Sequence, residues 1–108
     1  MNQHAEVSAN VNLRIKWAVT AAIDEVPREM RWWLRAHLVE PRAVVLCTSS
    51  DTGTREAFWL VTDHVGLDDA PCRIVFDGIA FGLEMTFDDG VSYLVHRFGS
   101  LTEAVQSI

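Results

Sequence analysis

The sequence predicts an α+β domain, in which two N-terminal helices and a short C-terminal helix pack on a five-stranded antiparallel meander sheet. Apolar residues recur at helical spacing before Pro41 and mainly at alternating positions after it. Short turn sequences separate the alternating segments, which favours antiparallel pairing of consecutive strands. The 108 residues are typical of one domain, so we expect a single domain over residues 1–108.

The first helix is predicted from about Leu13 to Glu25, with Asn12 as its N-terminal cap. Its apolar side chains share one face at helical spacing: Ile15, Val19, Ala22 and Val26. Residues 1–11 are expected to form a polar tail, and the sequence leaves its flexibility open. Pro27 ends this helix because its ring disfavours helical backbone at the preceding residue.

A second helix is predicted to start at Pro27, since proline is tolerated in a first turn where its missing N–H would have no partner. Its apolar stripe consists of Met30, Trp33, Leu34, His37 and Leu38. His37 lies on this stripe, so we expect a partly buried histidine there. Pro41 ends the helix.

Five strands are predicted at 42–48, 55–64, 72–77, 79–87 and 91–98. Asp77-Gly78 predicts a two-residue hairpin that pairs Ile74 with Phe81. A three-residue loop at 88–90 would pair Leu83 with Val95 and place the apolar side chains of three strands on one face.

The strand at 55–64 has apolar side chains on both faces. A strand of this kind is normally covered on both sides. If the helices cover only one side, a second subunit would cover the other, and on this basis we expect a homodimer.

The last helix begins at a capping box, in which Ser100 bonds the Glu103 amide and the Glu103 carboxylate returns to the Ser100 amide. Leu101, Ala104, Val105 and Ile108 then share one face. A helix this short needs tertiary packing to form.

Composition is that of an ordinary globular protein, with 49% apolar and 22% charged residues. Cys47 and Cys72 lie in apolar, strand-like runs without CxxC spacing, so we expect reduced, buried thiols. The N-terminus lacks the basic start and apolar stretch of a secretory signal, and no apolar run is long enough to span a membrane. These features predict a cytoplasmic protein without membrane association.

The net charge of −6 is unevenly distributed. Residues 1–50 hold six basic and five acidic side chains, whereas residues 51–108 hold three basic and ten acidic ones, a net of −7. An acidic surface disfavours nucleic acid and suits a basic protein. Four aspartates of predicted loops are candidate contacts for such a partner: Asp68, Asp69, Asp88 and Asp89.

Trp32 lies off the apolar stripe of the second helix and shares its face with Arg28 and Arg35. Exposed tryptophan beside arginine is typical of protein interfaces, although an internal cation–π stack or cover by the N-terminal tail would also explain it. A nucleic-acid-binding alternative would use four arginines of this region: Arg28, Arg31, Arg35 and Arg42.

The predicted register places Arg73, Glu84 and His96 together on the outer sheet face, where they form an alternative site for acid–base chemistry or ligand binding. Thr62-Asp63-His64 resembles a loose metal cluster but matches no established ligand spacing, so we interpret it as a strand end entering a polar loop. No nucleotide-binding or hydrolase motif occurs, and we expect no catalytic residue, metal or cofactor.

The sequence therefore favours a non-catalytic protein-binding module, such as a small acidic inhibitor or an immunity or antitoxin-like protein that neutralises a basic partner. The alternative is a ligand-binding or enzymatic domain with a cavity between the helices and the sheet.

Overall fold

The computed structural model describes residues 3–49, 51–67, 70–87 and 90–108, with side chains described at 11–49, 51–65, 71–87 and 90–108. Within these ranges the chain forms an α+β fold of three helices and six strands. The helices are α1 (Gln3–Glu25), α2 (Arg28–His37) and α3 (Leu101–Gln106). The strands are β1 (Ala43–Ser49), β2 (Thr54–Leu60), β3 (Val65–Leu67), β4 (Ala70–Phe76), β5 (Phe81–Thr86) and β6 (Ser92–Phe98).

The prediction of two N-terminal helices and one C-terminal helix is confirmed, but α1 begins at Gln3 rather than at Leu13. Asn12 consequently lies inside the helix and does not cap it. Val7 and Val11 continue the spacing of Ile15 and Val19 towards the N-terminus, and Val11 packs against the larger core, so the stripe extends beyond the predicted start. Pro27 is the N-terminal cap residue of α2 and so lies one position before the first turn, in which it was predicted.

The sheet closes into a barrel, whereas an open meander was predicted. β2 and β3 follow each other along one edge of β4, where Leu60 pairs with Val75 and Val65 pairs with Cys72. β1 pairs antiparallel with β2 and parallel with β6, so β1, β2, β4, β5 and β6 form a closed ring. Strand direction cannot alternate at every step around a closed ring of five strands. At least one pair of neighbours must therefore be parallel, and here it is β1 and β6. The sheet is therefore mixed, and the antiparallel meander is only partly correct.

The β4–β5 turn is wider than predicted, since Phe76 pairs with Phe81 across residues 77–80. The Asp77 carboxylate accepts hydrogen bonds from the Ile79 and Ala80 amides at 2.8 and 2.7 Å, which stabilises the four-residue loop. The predicted pairing of Ile74 with Phe81 is therefore wrong, and Ile74 pairs with Leu83 instead. The shift is two residues, so each side chain keeps its face.

A register irregularity changes the β5–β6 pair beside Val95. Leu83 pairs with His96 and Glu84 pairs with Leu94, so the predicted pairing of Leu83 with Val95 is wrong. The expected pairing of Met85 with Tyr93 is confirmed. The extra residue on β6 alters which face each following side chain occupies.

Two apolar cores form on the two faces of the sheet. The larger one lies between the helices and the outer face of β4 and β5, and includes Val19, Leu34 and Ile74. The smaller one fills the barrel interior with Leu46, Phe58, Leu60 and Val75.

These cores explain the two-sided apolarity of β2. Phe58 and Leu60 point into the barrel, whereas Trp59 packs against the helical core. Closure of the barrel thus covers both faces of β2 within one chain. The observation on which the homodimer was predicted no longer requires a second subunit.

α3 is capped by the Ser100 side chain, which accepts a hydrogen bond from the Glu103 amide at 3.2 Å. The Glu103 carboxylate returns to the Gly99 amide instead of the predicted Ser100 amide. Leu101, Ala104 and Val105 are buried, as expected. Within the described part of the chain, no helix combines the length and the hydropathy that crossing a bilayer requires.

Candidate functional site

Trp32 is the most exposed tryptophan of the described side chains, with 77% of its surface accessible. It lies on the side of α2 opposite the buried Leu34, with Arg28 and Arg35 on the same side. Arg35 extends towards α1, where its guanidinium lies 4.0 Å from the Asp24 carboxylate. The predicted Arg28–Trp32–Arg35 ridge therefore exists as a surface feature.

The structure adds Trp17, which the sequence analysis missed. Trp17 is 67% exposed on α1, and Asp24 lies two turns further on the same face. The ion pair between Asp24 and Arg35 joins this face of α1 to the ridge of α2. We call the combined surface, made of Trp17, Asp24, Arg28, Trp32 and Arg35, the outer helical face.

The spacing of Trp17 could have indicated its exposure. It lies about 200° from Ile15 on a helical wheel, on the side away from the apolar stripe. Neither an internal cation–π stack nor burial accounts for the positions of Trp17 and Trp32. Both indoles are exposed, and among the described residues the cation–π contact is formed by Arg97 and Phe58.

The arginines considered for nucleic-acid binding do not form one cluster. The Arg31 guanidinium donates to the backbone carbonyls of Val26 and Asp24 at 2.7 and 2.8 Å, at the C-terminal end of α1. Arg42 lies beyond α2 and lines a cavity beside the barrel. These positions leave Arg28 and Arg35 on the outer helical face.

Arg73 and Glu84 come together, but His96 does not join them. Both residues lie on the inner face of the barrel, where they pair across β4 and β5 and form a salt bridge. Glu84 is fully buried, and its second oxygen accepts a hydrogen bond from the Thr86 hydroxyl at 3.3 Å. His96 is exposed and packs on Phe98 at 4.6 Å between ring centroids, because the irregularity beside Val95 changes the face that it occupies.

The predicted outer sheet site of Arg73, Glu84 and His96 is therefore wrong as an arrangement. The face on which it was placed is the barrel interior. Closure of the sheet converts an expected solvent-facing charge pair into an internal one.

Two neighbouring cavities open beside the barrel and share Val39, Glu40 and Leu60 in their walls. The first, of about 400 Å³, extends to Lys16 and Val19 of α1. The second, of about 380 Å³, extends to four polar residues: Arg42, Asp63, His64 and Arg73. We call the two cavities together the barrel cleft.

The acidic groups of the barrel cleft each bond a neighbouring side chain. Glu40 pairs with Lys16 at 2.7 Å, across the boundary between α1 and the 38–42 segment. Asp63 lies 2.8 Å from Nδ1 of His37, which is partly buried as expected and lies tilted against Trp33 with the ring centroids 5.0 Å apart. Thr62 is buried and accepts a hydrogen bond from the Ile74 amide. This residue of the Thr62-Asp63-His64 segment therefore stabilises the fold.

Both cysteines are buried, as predicted, and they are not joined by a disulfide. Burial, and secondly the negative charge of Glu84, raise the pKa of the Cys72 thiol. A protonated, enclosed thiol is a poor nucleophile.

Asp68, Asp69, Asp88 and Asp89 lie outside the described residues. Within the described ranges, no group of three or more His, Cys, Asp or Glu side chains is placed to hold a metal ion. Comparisons with protein-family models, with curated proteins and with solved structures find no match to this chain.

Proposed function

We propose that this protein is a non-catalytic protein-binding module, which captures a basic partner through the outer helical face. The observation that carries the proposal is the pair of exposed indoles, Trp17 and Trp32, on the side of each helix that faces away from the core. In this role the protein would act as a small acidic inhibitor of the immunity or antitoxin kind.

The indoles suit an interface because each offers a large apolar area on a rigid element. Tryptophan and arginine are enriched among the residues that contribute most binding energy. A preformed helix avoids the cost of ordering the backbone that a flexible loop pays on binding. Arg28 and Arg35 beside Trp32 provide the polar rim that such anchors usually have.

The charge of the chain supports a basic partner. The net charge is −6, and the outer helical face itself holds both signs, with Arg35 already paired to Asp24. Long-range attraction would therefore come from the acidic remainder of the molecule, whereas the indoles would provide short-range contact.

Internal pairing of Arg73 with Glu84 argues against the enzymatic alternative. Glu84 has no exposed surface and is engaged by both Arg73 and Thr86. A general acid or base must contact its substrate directly or through one water molecule. This carboxylate does not meet that condition.

The test is capture from a lysate of the native host with three immobilised proteins. These are the natural chain, the double variant Trp17→Ala/Trp32→Ala and the control Ile79→Ser. Ile79 is 91% exposed on the β4–β5 loop, so its replacement removes exposed apolar surface from another part of the molecule.

We expect a basic protein that is retained by the natural chain and by Ile79→Ser and is lost from the double tryptophan variant. All three proteins should have the same thermal midpoint, since the changed side chains are exposed. Equal capture by all three, or recovery of only acidic proteins, would contradict the proposal.

A further inference from the structure

We infer that the barrel cleft is a binding site for a small organic anion with an apolar body, such as a medium-chain monocarboxylate. This site is separate from the outer helical face and does not depend on the proposed protein-binding function.

The size of the cleft is that of a small-molecule site. Its two cavities, of about 400 and 380 Å³, meet at Val39, Glu40 and Leu60. Each volume alone lies within the range of about 300–1,000 Å³ that is common for ligand pockets. A ligand that extends through both would follow the 38–42 segment from α1 to the barrel.

The α1 side of the cleft favours an apolar body. Val19, Leu38, Val39, Leu60 and Val61 contribute to its walls. Val19, Leu60 and Val61 belong to the buried cores, so this wall is held by packing on both sides. Displacement of water from such a wall favours binding of hydrocarbon.

The barrel side favours an anion. Its acidic groups are already engaged, Glu40 by Lys16 and Asp63 by His37. Arg42 also lines this side, and it forms no ion pair with any described residue. An incoming charged group thus meets a cation without an ion pair, whereas both described carboxylates that line the cleft already bond a side chain, Glu40 to Lys16 and Asp63 to His37.

Arg73 offers further donors to the same position. Its Nε and Nη2 contact Glu84, and no described residue accepts a hydrogen bond from Nη1. No fully enclosed side-chain nitrogen or oxygen lacks a partner in the described part of the chain. Nη1 is therefore not fully enclosed, and since Arg73 lines the cleft, we place the free N–H groups of Nη1 there.

Backbone pairing holds the two arginines near each other. The Leu60 amide donates to the Arg42 carbonyl at 2.9 Å, and Leu60 also pairs with Val75 of β4. Arg73 is two residues from Val75 and so lies on the same face of β4. Arg42 and Arg73 consequently flank Leu60, where apolar wall and cationic end meet.

The test is titration of the natural protein with sodium octanoate, followed by calorimetry and by amide shifts in two-dimensional NMR. We expect saturable shifts confined to residues 16–20, 38–42, 60–64 and 73. Octylammonium has the same chain with the opposite charge, and inorganic phosphate has the charge without the chain. Both should bind at least tenfold more weakly than octanoate.

The variant Arg42→Ala should weaken octanoate binding about tenfold or more, as expected for loss of a charge-assisted hydrogen bond. Arg55→Ala is the matched control, since Arg55 is an exposed arginine outside the cleft. Absence of saturable binding would overturn the inference, as would octylammonium binding as tightly as octanoate. Equal loss in both arginine variants, or phosphate binding as tightly as octanoate, would also overturn it.

Discussion

Ser100 shows how much a single residue contributes at a helix end. Its side chain satisfies the Glu103 amide, and α3 buries Leu101, Ala104 and Val105 behind this cap. We expect Ser100→Ala to lower the free energy of unfolding by about 0.5–2 kcal/mol. Ser100→Asp should keep most of the stability that the cap provides, because aspartate also accepts a hydrogen bond at this position. Denaturant titration measures both. Equal midpoints for the natural protein and Ser100→Ala would mean that the cap contributes nothing.

Arg73 and Glu84 form a charge pair inside the barrel, where the Arg73 side chain is 14% exposed and Glu84 is fully buried. Removal of one partner leaves an uncompensated buried charge, so we expect Arg73→Met to cost about 3–5 kcal/mol. The double variant Arg73→Met/Glu84→Met should recover most of this loss. A double-mutant cycle measured by chemical denaturation tests this coupling. If the stability losses of the two single variants add up to the loss of the double variant, the two side chains are not coupled.

Cys72 links stability to pH. Because the pKa of its thiol is raised in the folded protein, by burial and then by Glu84, the folded state binds this proton more tightly than the unfolded state. The stability that this difference in pKa gives the folded state is therefore fully present below the ordinary thiol pKa of about 8.5. It is lost as the pH rises through the higher pKa of the folded state. Cys72→Ala should flatten the alkaline fall in unfolding free energy relative to Cys47→Ala. Identical slopes in the two variants would contradict this linkage.

At the scale of elements, Gly82 makes room for the close approach of β5 and β6. A Cβ atom there would lie 2.6 Å from Leu94 Cδ1 and 3.0 Å from the backbone oxygen of His96. We expect Gly82→Ala to destabilise the fold by about 1–3 kcal/mol, since the backbone oxygen cannot move as a side chain can. Gly99→Ala is the control, because its nearest neighbour would be 3.9 Å away. Comparable thermal midpoints for both variants would contradict this account.

Most elements could be predicted because their signals are local. Pro27, the apolar stripe of α2 and the Ser100–Glu103 box each specify a boundary within a few residues. The start of α1 was misplaced although Val7 and Val11 extend its apolar stripe at helical spacing, because the polar residues between them dominate this segment. The β4–β5 loop was mispredicted because Asp77 bonds two amides and stabilises four residues, although Asp-Gly favours a two-residue turn.

At the scale of the whole molecule, barrel closure could not be predicted. It depends on the parallel contact of Cys47 with Tyr93, between strands that are distant in sequence and have no turn between them. Without closure, the face that holds Arg73 and Glu84 was assigned to solvent. The same limit applies to the sites: helical spacing indicates the exposure of Trp32, whereas the barrel cleft arises only from tertiary packing.

Net charge also acts at this scale. The ten acidic side chains of residues 51–108 give that half a net charge of −7, which should speed encounter with a basic partner. Charge reversal at Asp68, Asp69, Asp88 and Asp89 should slow association about 10- to 100-fold. Added salt should also slow association, because it screens the long-range attraction. An association rate that stays the same after charge reversal and after addition of salt would contradict electrostatic steering.

The most direct test of protein binding through the outer helical face is the dissociation rate of the recovered partner from Trp32→Ala. In the proposed complex Trp32 would contact the partner only after encounter. Its loss should therefore raise the dissociation rate, with a cost of about 2 kcal/mol or more in affinity, and leave the association rate nearly unchanged. Surface plasmon resonance on the natural chain and on Trp32→Ala measures both rates. The account predicts a dissociation rate about 30-fold higher for the variant; equal dissociation rates would contradict it.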